Sequence, residues 1–549
     1  MHLRHSHLFG ALVALALLTT TGCGTAQTPA APAGGGTAAP AGPKTGGVLT
    51  AVFASDPNEW DMRGQGKTGV NVQLHGLVYE TLLRFKHGSD VEYSSQILQP
   101  RLAERWEVAP DGKAFTFTLR KGVKFQNVPP VNGRALTSAD VKWSLDYYSA
   151  RSEFEGKKVP ASQVDFMYEG LDKVEAPDAN TVVVRFKDPY APFLNYAASQ
   201  WMPIAAKEVY QQDGSLKDHL IGTGPFTFDD KATQKGTVWV VKKNPDYWNA
   251  SSIYLDGIKR LVLPEIATAQ AAFATKQVDA WADARIVAQT AQAVKSTNPQ
   301  ATLFTYRVPI GNALLISQKK TKALTDARVR RAISLAIDRE EHSKVLFGGE
   351  GAPFIAGSWP GIFTQQEAAA LTKYDTAQAQ QLLQQAGIQP GGLTLEMIIT
   401  NTDDTAQHQL LQAQLKKVGI EVKFTILPRE QHRPRLYAGD FDIYRNSGAG
   451  LLEADVDSFL FGEFYSQSTL NWVGTNDPEL DKMLLATRQT LDPQKRNEAI
   501  KAAARRINEQ GYDPGIVYPA NWAFSQSYVK NWRPHFANGE TEAFAWLDK

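Results

Sequence analysis

The sequence predicts an α/β fold of more than one domain with aromatic side chains to spare for a cleft. Segments of strand character alternate with segments of helical character through both halves of the 549 residues. About 500 residues follow a low-complexity stretch near the start, which is more than one core usually fills and implies two or three domains. The aromatic supply, 12 Trp and 18 Tyr, is enough to fill cores and still line a cleft for an organic ligand. Lys and Arg number 58 against 57 for Asp and Glu, so no net charge draws the chain to nucleic acid or to an anionic surface.

The first residues set the address. Leu8 to Leu18 (LFGALVALALL) is an apolar run behind Arg4, with the length and order of a secretory signal, and it is too short to span a bilayer. Thr19-Thr20-Thr21-Gly22-Cys23 follows. A small residue and a Cys at the end of such a run resemble a bacterial lipobox, in which the thiol takes a diacylglycerol and becomes the mature N-terminus. Thr20 departs from that motif, which prefers Leu there. Residues 1–22 are read as signal peptide and 23–45 as a lipidated Cys23 with a disordered tether. Residues 24–47, rich in Ala, Pro and Gly, hold nothing apolar enough for a core. The expected location is the outer face of the cell membrane. Cys23 is the only cysteine, so disulfides and thiolate metal sites are excluded.

The elements can be taken in order. Val48 to Phe53 leaves the tether as a first strand, ended by Asp56-Pro57. Val72 to Phe85 has helical apolar spacing. Glu107 to Arg120 is a hairpin with Asp111-Gly112 at its turn and Phe115, Phe117 and Leu119 on one face. Thr137-Ser138-Ala139-Asp140 opens a helix with a capping-box pattern. Thr181–Phe186, Thr237–Lys242 and Ile258–Leu263 read as strands and Thr268–Thr275 as a helix. From about Tyr306 a second region brings helices at 326–337, 376–386, 406–418, 482–489 and 493–509, with strands at 393–400 and 421–427.

The order of these segments resembles the extracellular solute-binding proteins, family 5, which serve peptide, nickel, opine and oligosaccharide ABC importers. The most specific piece is Pro100-Arg101-Leu102-Ala103-Glu104-Arg105-Trp106-Glu107, followed by Asp111-Gly112-Lys113 and Leu119-Arg120-Lys121-Gly122-Val123-Lys124-Phe125. Val78-Tyr79-Glu80-Thr81-Leu82, Leu136 to Val141, Pro189 to Leu194, Gly222-Thr223-Gly224-Pro225-Phe226 and Asn244-Pro245-Asp246-Tyr247-Trp248 add to it. So do Arg328 to Ala332, Ala336-Ile337-Asp338-Arg339 and Gly439-Asp440-Phe441-Asp442.

The resemblance implies a two-lobe periplasmic-binding-protein-like fold of type II, with a ligand cleft between the lobes. Lobe 1 is expected over 46–306, with an extra subdomain at about 90–195. Lobe 2 is expected over 307–514, and 515–549 returns to lobe 1. Crossings fall near Arg307 to Ile310 and Tyr512 to Pro519. The implied function is solute capture by hinge closure and delivery to a membrane permease and its ATPase, by a monomer without catalysis or cofactor.

The ligand residues are less legible. In peptide-binding members an acid within a Trp-x-x-Asp pattern holds the ligand's α-ammonium, soon after the segment matching Phe441-Asp442-Ile443. Here Gly448 or Ala449 stands for the Trp and Leu451 or Leu452 for the Asp, so Glu453 or Asp455 is the substitute. A buried ammonium without a carboxylate is costly, so sugars, opines and other small solutes stand beside peptides. Arg445 matches an Arg of some oligopeptide binders and can fork onto a carboxylate. Asn446 beside it and Trp60, Trp201 and Trp472 complete the candidate ligand residues.

Other chemistry finds little support. Gly64-Gln65-Gly66-Lys67-Thr68-Gly69 matches a glycine-rich dinucleotide pattern, but the strand before it ends near Ala54. Asp61 occupies the first glycine position of a phosphate loop. His408 and His432 have no spaced partner that would make a metal site. A secreted hydrolase or chaperone-like module on the same scaffold, and a sensory receptor subunit, are the readings from other classes.

Overall fold

The strands of this chain gather into sheets whose membership changes at two points, and those points define its architecture. The computed structural model describes residues 42–549 apart from 58, 64–68, 160, 161, 163, 309, 310, 358–361, 402–404, 450–454 and 537–539. Cys23, the tether up to residue 41 and the glycine-rich loop 64–68 lie outside the described residues.

In the first region Val48–Phe53 pairs in parallel with Gly257–Val262, and Val238–Lys243 and Phe226–Phe228 extend that sheet antiparallel. A separate antiparallel sheet takes Ala103–Val108, Ala114–Leu119, Thr181–Phe186 and Leu171–Asp178. The predicted alternation of Phe115, Phe117 and Leu119 is present. All three are buried, while Ala114, Thr116 and Thr118 are only partly so. The capping box at Thr137 and Asp140 also forms, opening the helix Ser138–Ser149.

Two strands carry the chain across. β1 (Thr302–Arg307) lies in a three-stranded sheet with Ala280–Ala282, and β2 (Gly311–Ile316) lies in a six-stranded sheet. The latter sheet runs Ala352–Pro353, the returning strand Gly515–Tyr518, β2, β3 (Ile443–Ala449), Leu393–Thr400 and Ile420–Leu427. The return is made by β4 (Gly515–Tyr518) and β5 (Ala520–Ser525), with Pro519 between them. β5 then sits between Ala280–Ala282 and β1. The fold is α/β with two lobes joined at adjacent crossings.

One expectation fails locally. The helix expected over 72–85 ends at Val78, and Leu83–Phe85 is a strand. The reason is tertiary. The carbonyls of Val78, Thr81 and Leu82 accept from Gly224, Leu102 and Ala103 instead of continuing a helix.

Those bonds surround Glu80, which is fully buried. Its carboxylate accepts from Arg101 Nε at 3.1 Å, Thr223 Oγ1 at 2.9 Å, Tyr247 Oη at 3.1 Å and Trp248 Nε1 at 3.1 Å. Arg101 is shared with Glu540, and these carboxylates raise the guanidinium's pKa against the opposing effect of burial. Arg120 lies over the Trp248 ring at 4.1 Å. Gly222 and Gly224 are required here, because a Cβ on either would stand 2.4 and 2.6 Å from the Val78 carbonyl oxygen. Gln126, shortly after the strand Ala114–Leu119, is tied to the same place, donating to the carbonyls of Val78 and Phe226.

Removing one partner of such a buried ion pair strands the others without water. Glu80→Ala is therefore expected to destabilise the first lobe by about 3–5 kcal/mol. Urea unfolding followed by tryptophan fluorescence checks this, and a midpoint equal to wild type contradicts it.

Candidate functional site

The place where a ligand could touch both lobes is bounded by the crossing strands. β2 pairs antiparallel with β3 on one side and β4 on the other. Neither Gly311 nor Gly515 has room for a side chain. A Cβ on Gly311 would lie 2.2 Å from the Phe354 ring, and one on Gly515 would lie 2.1 Å from the Phe354 carbonyl oxygen. Phe354 is buried and packs edge-on against Tyr518, with ring centroids 4.8 Å apart. It thus wedges over both strands of the crossing from the lobe-2 side. Arg307, at the end of β1, donates to the carbonyl of Glu350 across the same junction.

Arg445 lies on β3 opposite Leu314, and Asn446 lies opposite Ala313. By strand alternation Arg445 shares a face with Ile443 and Leu314, which are part of the core under the outer helices of lobe 2. It is buried, and its charge reaches His342 on α1 (Arg339–Phe347). Burial and then Arg445 push the His342 pKa down to about 4. Asn446 faces the opposite way, toward the side of the sheet that carries Leu315 and Tyr444.

Trp60 packs within lobe 1 against Trp239, with centroids 5.6 Å apart, and against Phe228 and His75. Trp201 is half-buried at the rim of the same core. Trp472 packs on Tyr437 beside Val473, whose carbonyl accepts from Gln318 just past the far end of β2. Each of the three tryptophans thus packs against its own set of neighbours.

Glu453 lies outside the described residues. Asp455 is buried and fully engaged. Arg496 donates to both of its oxygens at 2.6 and 2.9 Å, and Asn195 donates at 2.8 Å. Burial would raise the Asp455 carboxyl, but Arg496 outweighs it and holds the group below the usual carboxylate range. Two residues on, Asp457 opens α2 (Asp457–Phe464), a helix buried along its whole length. It accepts two bonds from Arg488 on α3 (Pro478–Gln489), and Arg496 stands on α4 (Pro493–Gln510).

Asp513, between α4 and β4, carries no signal in the sequence. It is fully buried, and among the described residues neither carboxylate oxygen has a hydrogen-bond partner. Desolvation pushes its pKa up to about 7. Among the described residues no group of acids, His and Cys could hold a metal ion.

Two lobes, two adjacent crossings and an interlobe boundary rich in aromatic and polar side chains define a hinged binding protein. The comparisons agree. The family profile "Bacterial extracellular solute-binding proteins, family 5 Middle" matches residues 98–470, and the chain belongs to that family, which serves ABC importers. It is 27% identical over 483 residues to di/tripeptide-binding protein 2 of Pseudomonas aeruginosa, covering 83% of this chain and 86% of that one. It is 28% identical over 447 residues to the glutathione-binding protein GsiB of Salmonella choleraesuis, covering 78% and 83%. The solved periplasmic binding protein DppA of Helicobacter pylori, in complex with the peptide STSA, superposes with a TM-score of 0.79 at 23% identity, covering 92% and 99%.

Asp513 yields a pH prediction. Its folded pKa of about 7 stands above the usual value of 3.8, so the folded state holds the proton more tightly than the unfolded chain. The stability this contributes is complete below about pH 4 and is lost as pH rises toward about 7. Asp513→Asn removes that loss, so the variant should gain on wild type steadily between those limits. Unfolding midpoints measured across this range check it, and parallel curves for the two proteins contradict it.

Proposed function

We propose that this protein is the extracytoplasmic solute-binding component of an ABC importer and that its ligand is a short peptide. The observation that carries the reading is the match along nearly the whole folded chain to proteins whose names are di/tripeptide- and glutathione-binding. Two adjacent strand crossings supply the mechanism. A ligand touching both lobes lowers the free energy of the closed state relative to the open one, and the closed pair of lobes is the surface a permease reads. The protein works as a monomer and releases its ligand chemically unchanged.

The peptide's ammonium needs a carboxylate in a buried cleft. Of the two acids the sequence offers after β3, Asp455 is saturated by Arg496 and Asn195, which leaves Glu453 for that role. A mixture of di- and tripeptides should raise the thermal midpoint of ligand-stripped protein by several degrees. Glu453→Gln should remove most of that rise. No rise in wild type defeats the peptide reading, and an undiminished rise in the variant defeats the assignment of Glu453.

The anchor is part of the same proposal. A lipid on Cys23 with a tether to about residue 45 keeps the folded unit at the membrane yet free to reorient, so capture and delivery occur beside the permease. Cys23→Ala should move the protein from the membrane fraction to the soluble extracytoplasmic fraction. Wild-type protein already soluble there would argue against lipidation.

A further inference from the structure

The extra subdomain meets lobe 2 at a contact that the ligand cleft does not account for. On the lobe-2 side stand two buried ion pairs, Asp457 with Arg488 and Asp455 with Arg496. On the subdomain side stand Tyr196, whose hydroxyl donates to Asp457 at 2.7 Å, and Asn195, whose amide donates to Asp455 at 2.8 Å. The carbonyl of Phe166 accepts from Arg488 at 3.0 Å, and the backbone N–H of Ala191 donates to the Arg488 carbonyl at 2.7 Å. Arg488 is pressed over the Phe461 ring at 3.2 Å.

The distribution of charge across this contact is informative. Each carboxylate already has its own arginine within residues 455–496, and the subdomain contributes only neutral donors and acceptors. Parting the two sides therefore leaves no unpaired charge, and water can replace every hydrogen bond that is lost. A contact built to be permanent needs no such restriction. Closure also buries apolar surface here, because Phe166, Tyr190 and Tyr196 share a core with Phe459, Phe461 and Phe464. The subdomain is in turn fixed to lobe 1 by Arg101 and Gln126 at the buried Glu80 cluster. The chain passes between the three-stranded and the six-stranded sheet after Arg307 and at Pro519. Rotation about those crossings must therefore separate residues 166–196 from residues 455–496.

We infer that Tyr196 and Asn195 form a latch that engages lobe 2 only when the cleft closes, holding ligand without touching it. These are positioning residues, and the inference rests on capture by closure as proposed above. The latch stabilises the closed complex and not the encounter, so its loss speeds ligand release and leaves association unchanged.

The test uses Tyr196→Phe, which keeps the buried ring, and Asn195→Ala, each in the full-length protein. A defined tripeptide shown to stabilise wild type serves as the probe. Stopped-flow tryptophan fluorescence is expected to show release about tenfold faster in Tyr196→Phe, with the association rate retained. The midpoint of the unliganded protein should stay at the wild-type value. Unaltered release rates, or a lowered unliganded midpoint with wild-type release, would mark the contact as a fixed structural joint and overturn the latch. Failure of wild type to bind any peptide would instead defeat the functional reading. The latch is then decided by small-angle scattering of the unliganded protein. It predicts an unliganded radius of gyration larger than that of the structure described above, in which the contact is made, and a radius equal to it overturns the latch.

Discussion

The buried carboxylate of Glu80 is the interaction on which the first lobe depends. It has no access to water, and it satisfies its lone pairs with side chains drawn from three distant stretches of sequence, around 101, 223 and 247–248. A charge in that position is tolerable only if all of those segments arrive together. Its requirement for partners is thus a constraint on the chain's path. Around it the helix ends at Val78, the chain bends at Gly222 to Gly224 against the Val78 carbonyl, and Gln126 donates to that same carbonyl. Lobe 2 uses the same device with a cation. Arg339 is buried and donates to the carbonyls of Gly515, Ser334, Ile337 and Thr372, tying α1 to the returning strand β4.

Rigidity within each lobe is what lets a small hinge matter. Phe354, seated where Gly311 and Gly515 leave space, packs the crossing from one side, so motion there is confined to a few residues. Movement of one lobe is then felt at a distance, at the contact between residues 166–196 and α2 to α4. There Arg488, although buried, is kept charged because Asp457 raises its pKa against the opposing effect of burial.

Much of the fold was legible in the sequence, and the residues show why. The hairpin at Asp111-Gly112, the alternation of Phe115, Phe117 and Leu119, and the capping box at Thr137 are local, and local rules found them. Leu393–Thr400 has the bounds read from its apolar pattern. Where local pattern and tertiary pairing disagreed, as over 79–85, pairing won. The signature motifs proved to be the parts that meet one another: Tyr79-Glu80, Arg101, Thr223 and Tyr247-Trp248 form a single buried cluster. Spacing along the chain carries no sign of that meeting.

The candidate ligand residues show the boundary more sharply. The sequence by itself determined the alternation of strands and helices, the turns and caps, the lack of a second cysteine for a disulfide and, through its ordered motifs, the family. Each of these depends on a residue's own conformational preference or on neighbours a few positions away. Only the tertiary structure decided that Asp455 is saturated by Arg496 and Asn195, that Arg445 lies under α1 beside His342, that Trp60 is core, and that Asp513 is buried without a hydrogen-bond partner among the described residues. The physical reason is that a side chain's availability depends on what else shares its space. For Asp455 that means an amide 260 residues away in the chain.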